Sequence, residues 1–467
     1  MATVNSVEIS ATTNPGYIHA ENVSQESAEK VSQLLIENHD KFHVFFDYRE
    51  LHNHCLHHLL AIYALGATPA DLQAAWDRNM TYQLPKVLPK PHEFKFDLSE
   101  TEVFLKCMTK PAYYIHFLDF FKREIASKGM GEAMKEYVFK GDERANRMLT
   151  RLYDGVLHGL MHVGYAFEFE QPLILAEALA EAAITTEYLD RIIEDVVEYR
   201  ENNKNVPDTN LMSIYPRLRA DPTIYHAVRS TDGPNKLRDG LIARAKQNMI
   251  PYLAEFGVKP RQIKRKTAEL ANTGLFVAAA AQKPRKLEMI DFFLLHSVNS
   301  SLWMSVLIEQ KWMTNEMKCR LLEIKGWSDL ITYACCKVPA LYPERIFNYT
   351  PKQPGDWESV FRRAVVYNDD GHVPKFIRAT RYVEQVSQEY AGQPEFPLRP
   401  ELCLTVAHMA MDSVDRQNEP GYQLPAEAKF YEMADMEVQR LIFRFVRFGG
   451  LDDAWDHVPD IAAAPNL

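Results

Sequence analysis

Apolar side chains return along most of this chain every three or four residues, the spacing that gathers them on one helical face, rather than in the strict alternation of a half-buried strand. Residues 24–38, 49–65, 112–127, 131–139, 145–169 and 172–200 carry this period in the first half of the chain, and 234–252, 261–281, 286–311, 315–337 and 368–390 in the second. Thr68-Pro69-Ala70-Asp71 adds a helix start: a hydroxyl at the N-cap, a proline where no N–H is needed, and an acid three residues after the cap. Residues 83–97 (QLPKVLPKPHEFKFD), 339–356 and 393–400 break the period and predict loops. No unit recurs at a fixed interval. The expected architecture is all-α: a mainly helical, bundle-like single domain over residues 1–467 with long loops, residues 1–23 forming a polar N-terminal arm.

Composition supports this and narrows the partners. Only 19 of 467 residues are glycine, and 46% hydrophobic with 25% charged residues is the balance of a folded chain rather than a disordered one. A net charge of −10 opposes nucleic acid and anionic membrane, since both require a basic footprint. The one basic run, KPRQIKRK at 259–266, reads as a solvated helix start. The longest apolar stretch, 289–308, is interrupted by Asp291, His296, Asn299 and several serines, so it predicts a core helix and not a membrane span. Six cysteines without Cys-x-x-Cys spacing predict reduced thiols and exclude a zinc finger. Neither the N-terminus nor Pro465-Asn466-Leu467 carries a targeting signal, which makes the cytoplasm the expected location. A small-molecule partner remains.

Histidine placement carries the chemistry. Sixteen histidines predict about 0.5 pairs at spacing i, i+4 by chance, whereas His39/His43, His54/His58 and His158/His162 make three. Four residues bring two rings onto one helical face, where they can share a metal ion. His158 and His162 lie in the apolar segment LYDGVLHGLMHVGYAFEF, where Gly155 and Gly159 permit close approach of another helix; two buried rings without partners bear a desolvation cost that a metal removes. Gly159 follows the first ring where a zincin protease has glutamate, which excludes that reading. In LHNHCLHHLLAIYALGA, His58 faces the core with Leu51 and Ile62, and His54 shares that face, either ligating or orienting its neighbour. His52 and His57 are expected nearer the surface or in support, and His39/His43 ends a polar helix. His296 stands alone in FFLLHSVNSSLW, where a packed core histidine is the simpler reading unless a third helix completes a bundle-core site.

Four blocks in this order, HNHCLHHLLAIYALGA, DGVLHGLMHVGYAFEF, LLHSVNSS and NDDGHVPKFIRA, resemble the questin oxidase-like family of fungal aromatic-polyketide pathways, over most of the chain. The resemblance implies oxidative ring opening of a hydroxyanthraquinone such as questin, by a non-haem Fe(II) dioxygenase with O2 as co-substrate or by an NADPH-dependent Baeyer-Villiger-type monooxygenase. It also implies His58, His158, His162 and His296 as iron ligands, and Lys375 as a further ligand carboxylated by CO2. An ammonium beside a dication is repelled, whereas a carbamate turns its charge from +1 to −1; pairing of Lys375 with Asp369 or Asp370 is the alternative. Asp154 and Glu50, each one turn before a histidine, offer a carboxylate instead. His372 and Arg378 are candidates for proton transfer or carboxylate binding, with a solvated helix face as the other reading, and Tyr165, Phe167, Phe292, Phe293 and Trp303 for stacking on a flat substrate. The nearest dinucleotide motif, Gly129-Met130-Gly131-Glu132-Ala133-Met134, lacks its third glycine and a preceding strand. A non-catalytic helical scaffold is the remaining alternative.

Overall fold

The computed structural model describes residues 2–87, 97–418 and 443–461, with Leu424 and Gln439; most of the predicted 83–97 loop and Pro465-Asn466-Leu467 lie outside these. The fold is all-α, and strand pairing among the described residues is confined to isolated bridges. Its principal helices are α1 (Gln25–Lys41), α2 (Cys55–Ala64), α3 (Pro69–Asn79), α4 (Tyr114–Lys128), α5 (Asp154–Glu168), α6 (Pro172–Ile184), α7 (Ile263–Ala280), α8 (Phe292–Asn299), α9 (Asn315–Cys335), α10 (His372–Ser387) and α11 (Cys403–Asp415). Two compact units are each assembled from separate stretches: Met1–Asp190, Trp303–Lys318 and Asp370–Lys375 in one, Arg191–Leu302, Cys319–Asp369 and Phe376–Leu467 in the other.

In the first unit, α6 packs along both α4 and α5, and α1, α2 and α3 pack on one another. The capping box predicted at Thr68 is present: its hydroxyl accepts from Asp71 N–H while the Asp71 carboxylate accepts from Thr68 N–H. Helix α6 (PLILAEALAEAAI) is buried at every position from Leu173 to Ile184, as an all-round apolar helix must be. Its two acids, Glu177 and Glu181, are therefore carried into the interior one turn apart, where an ionised carboxylate persists only with partners.

The predicted continuous helix over 145–169 is broken. Gly155, Val156 and Leu157 are all left-handed, with φ of 55°, 59° and 62°. For Val156 and Leu157 this costs roughly 1–2 kcal/mol each. Local bonds hold the turn: Asp154 Oδ1 accepts from Tyr188 N–H (3.1 Å) and Leu189 N–H (3.3 Å), and Leu160 N–H reaches Leu152 O at 2.9 Å. The glycines also differ from expectation in what they approach. A Cβ on Gly155 would lie 2.6 Å from His52 Cε1, and one on Gly159 would lie 3.3 Å from Leu152 Cα, so Gly155 makes room for a ring and Gly159 for the preceding turn.

In the second unit α7 packs against α8. The helix predicted from 286 begins only at Phe292, because Asp291 Oδ1 caps it, accepting from Phe293 N–H (2.7 Å) and Leu294 N–H (3.1 Å). His296 in α8 is fully buried and donates Nδ1–H to Phe292 O at 2.6 Å. Arg378 is 1% exposed, which removes the solvated-face reading. All six cysteines are free and buried, and no helix among the described residues is long and apolar enough to cross a membrane.

Candidate active site

The segment before α2 sets the site. Residues 49–54, predicted as helix, instead fold back on 44–46: Phe45 bridges His52, Asn53 N–H donates to Val44 O (2.7 Å), and Phe46 N–H donates to Leu51 O (2.7 Å). Helix α2 starts at Cys55 with His54 as its N-cap residue. The helical wheel that put His52 and His57 outward therefore does not apply to this segment. Both are buried, at 6% and 1% exposure, since α2 is buried on all sides.

Three rings from three chain segments converge. His54 Nδ1 lies 3.0 Å from Asp370 Oδ2, His372 Nδ1 lies 2.6 Å from Asp370 Oδ1, and His158 Nδ1 lies 2.7 Å from Gly155 O. Carboxylate and carbonyl oxygens only accept, so each Nδ1 carries a proton, and Nε2 is the acceptor of any of these rings that is neutral. His54 Nε2 and His158 Nε2 nevertheless stand 2.8 Å apart, and one ring nitrogen each of His54, His158 and His372 falls within 4.8 Å of the others. Two lone pairs at that separation repel unless a cation or proton lies between them. Burial, followed by the charge of Lys375, pushes the His54 pKa down to about 3, which favours the neutral ring. Burial raises the Asp370 pKa, but His372 and then His54 outweigh it and hold the carboxylate well below its usual range.

Glycine makes the Asp370–His372 approach possible. Gly371 has φ of +99°, and a Cβ there would lie 2.6 Å from His58 Cβ, so only glycine lets this segment lie against α2. Lys375, one turn further along α10, is 2% exposed, and its charge lowers the pKa of His54 and of His57. His57 stacks on Tyr165 (centroids 5.1 Å apart), and neither of its buried ring nitrogens has a hydrogen-bond partner among the described residues. Leaving such a group unsatisfied costs about 1–3 kcal/mol.

The other expected residues are engaged differently. Asn79 donates Nδ2–H to His58 Nδ1 (2.9 Å) and to Ala75 O, while its Oδ1 accepts from Tyr82, which fixes the amide; His58 Nε2 then carries a proton and offers no lone pair. His162 lies between two carboxylates, Nδ1 at 3.0 Å from Glu181 and Nε2 at 3.5 Å from Glu177. Burial lowers its pKa, but the two acids overcome that and raise it to about 9, which makes it an imidazolium. Asp154 Oδ1 accepts from Tyr188 N–H and Leu189 N–H, and burial lifts the carboxyl pKa to about 8. Glu50 accepts from Thr186 N–H and its hydroxyl. Tyr165 and Trp303 pack with ring planes tilted by 56° in the first unit, while Phe292 and Phe293 meet edge to face in the second.

Sequence reasoning passed over Glu177 and Glu181, gave Asp370 only as a partner for Lys375, and set aside His39, which lies 2.6 Å from Glu177. Two acids one turn apart in an otherwise apolar helix were the available signal for the first pair.

A helical interior holding interlinked imidazoles and carboxylates is built for chemistry and not for scaffolding. The chain is an oxidoreductase and belongs to the questin oxidase-like family, whose model matches residues 51–380. It is 39% identical over 470 residues to Oxidoreductase AflY of Aspergillus parasiticus, covering 98% of this chain and 94% of that protein. Baeyer-Villiger monooxygenase dmxR6 of Cryptosporiopsis sp. is 36% identical over 462 residues, covering 96% and 97% of the two chains. Questin oxidase of Aspergillus terreus is 34% identical over 396 residues, covering 83% and 88%.

Proposed function

We propose that this protein is a non-haem iron oxygenase that opens the ring of a hydroxyanthraquinone-type aromatic polyketide. The observation that carries the reading is the convergence of His54, His158 and His372, with a ring nitrogen of each within 4.8 Å of the others, every Nδ1 facing an oxygen, and the Nε2 atoms of His54 and His158 2.8 Å apart. Imidazole donors suit iron, zinc, copper and nickel, and bonds from the opposite ring nitrogen to a carboxylate or carbonyl are the support that metal-binding histidines receive. Relatives named oxidases and monooxygenases favour the redox-active choice.

In this reading His54, His158 and His372 hold the iron, His57 is the next imidazole donor, and Lys375, as a carbamate, supplies an oxygen. His54 and His372 stand here where the family resemblance has His58 and His162, because His58 Nδ1 accepts from Asn79 and His162 faces two carboxylates. Bound iron would supply the centre at which O2 reacts with the substrate. The chain's own residues fix the ring tautomers through Asp370 and Gly155 O, and exclude water through the burial of every ring in the trio.

Elemental analysis of untagged protein, followed by anaerobic Fe(II) reconstitution and O2 uptake on a hydroxyanthraquinone, tests the reading. About one iron per chain with uptake independent of NADPH is the expected outcome, and His54→Ala and His158→Ala should each abolish iron retention. Protein that retains no metal after reconstitution sinks the proposal. Strict dependence on NADPH favours the second reading, a Baeyer-Villiger-type monooxygenase, which the name of the dmxR6 relative supports.

A further inference from the structure

The rings of the trio are oriented by oxygens, those of Asp370 and Gly155, but His57 is not. It is buried, and neither of its ring nitrogens has a hydrogen-bond partner among the described residues. Aromatic rings surround it instead. Its ring lies 5.1 Å from that of Tyr165 with planes 28° apart, and 5.9 Å from that of His158 with planes 14° apart, so the imidazole runs nearly parallel to both. The Tyr165 hydroxyl donates to His57 O at 3.0 Å, which ties the phenol to the backbone of the residue it stacks on.

Tyr165 is held in turn. Trp303 packs on it with ring centroids 4.5 Å apart, and the indole fits because residue 164 is glycine, where a Cβ would overlap it. Trp303 Nε1–H donates to Glu168 Oε2 at 3.1 Å, and Glu168 Oε1 accepts from Tyr17 N–H at 2.7 Å. The Tyr17 hydroxyl donates to Glu309 Oε1 at 2.8 Å, in the segment that Trp303 opens. At the end of α2, Asn14 O accepts from the Tyr63 hydroxyl (3.3 Å) and Ala20 N–H donates to Ala64 O (2.8 Å). The N-terminal arm therefore ties together the ends of α2 and α5, the helices that carry His57 and His158, and all of these residues lie in the first unit.

We propose that Tyr165 and Trp303 are positioning residues for His57, fixing its ring by stacking where the rings of the trio are fixed by hydrogen bonds. Both were candidates for stacking on a flat substrate, yet they are 0% and 1% exposed, with their polar atoms committed to protein. Core packing accounts for an apolar ring at either position. It does not account for a phenol placed on His57 O or an indole N–H placed on Glu168, bonds that select one orientation of each ring. A donor imidazole has to be aimed before metal arrives, because the cost of ordering it then weakens binding. The inference rests on the reading of His57 as an imidazole donor.

Two measurements on full-length protein test it. In metal-free protein with ring-labelled histidine, NMR should show one set of His57 ring signals for wild type, whereas Tyr165→Leu and Trp303→Leu should add a second set or broaden the first as the ring gains another orientation. The second measurement uses Co(II) in place of iron and needs no turnover: His57→Gln defines the visible spectrum of a centre that lacks this donor. Both leucine variants are expected to move the Co(II) spectrum toward that of His57→Gln and to weaken Co(II) binding by about 2- to 10-fold. Tyr165→Phe, which keeps the stacked ring, should recover most of the wild-type spectrum. Trp303→Phe, which keeps a ring but cannot donate to Glu168, carries the test if the leucine variants do not fold, and should add or broaden His57 signals in the same way. Variants that lose urea stability but keep a single set of His57 signals and the wild-type Co(II) spectrum overturn the inference and leave both rings as core packing. If wild type and His57→Gln give the same Co(II) spectrum, the donor reading falls, while the signals of metal-free protein still decide whether the two rings hold His57.

Discussion

What a buried imidazole does is set by what its two nitrogens touch. His54, His158 and His372 give their Nδ1 protons to oxygen and so present Nε2 lone pairs, whereas Asn79 forces the opposite tautomer on His58 and two glutamates protonate His162. Asp370 is decisive because it orients two of the three. Asp370→Asn retains shape but loses charge, and metal affinity is expected to fall about 10- to 100-fold, read by competition with a chelator. The Glu177–His162 contact adds a pH signature. His162 is raised from 6.5 to about 9, so its contribution to stability is complete below about 6.5 and is lost as pH rises through about 9. Glu177 is lowered from 4.5 to about 2, so its contribution is complete above about 4.5 and is lost as pH falls through about 2. Urea unfolding of metal-free protein should show this contact contributing most between about pH 4.5 and 6.5, and His162→Gln should flatten the dependence on both flanks.

At the scale of elements, the sequence located helices well and their interruptions poorly. The 3.6-residue period, the Thr68 capping box and the loop signals describe α1, α3 and α4 because each is governed by local spacing and capping, whereas the helix predicted over 172–200 is interrupted between Ile184 and Asp190. The starts of α2 and α5 are different. Residues 49–54 carry a helical pattern but find hydrogen bonds to 44–46 instead, and 155–157 take left-handed conformations held by contacts to residues 188 and 189. These two departures are where the site is built, since they turn His54 and His158 toward each other. Gly155→Ala tests the second. It adds a Cβ 2.6 Å from His52 in a backbone with φ of +55°, and should destabilise the chain by about 1–3 kcal/mol while weakening metal binding. Unaltered urea stability in that variant would show that the turn relaxes freely.

For the whole molecule, the proposed metal would be coupled to the fold by mass action. Ligand bound only to the folded state at about 100 times its dissociation constant adds about 2.7 kcal/mol, so stripping iron with a chelator should lower Tm and anaerobic Fe(II) should restore it, as followed by differential scanning fluorimetry. A His54→Ala variant should show no such shift.

The sequence by itself determined the helical class, the reduced cysteines, the family and the segments that carry the histidines, because each depends on composition, local period or a contiguous motif. It could not say which ring nitrogens bear protons. That depends on oxygens contributed from far along the chain, Asp370 for His54 and Glu177 with Glu181 for His162, and on a break in local helix geometry that a wheel cannot register. Only the tertiary structure sorted the histidines into lone-pair donors, proton carriers and packed rings, since the tautomer of a buried imidazole is fixed by its hydrogen-bond partners and not by its neighbours in sequence.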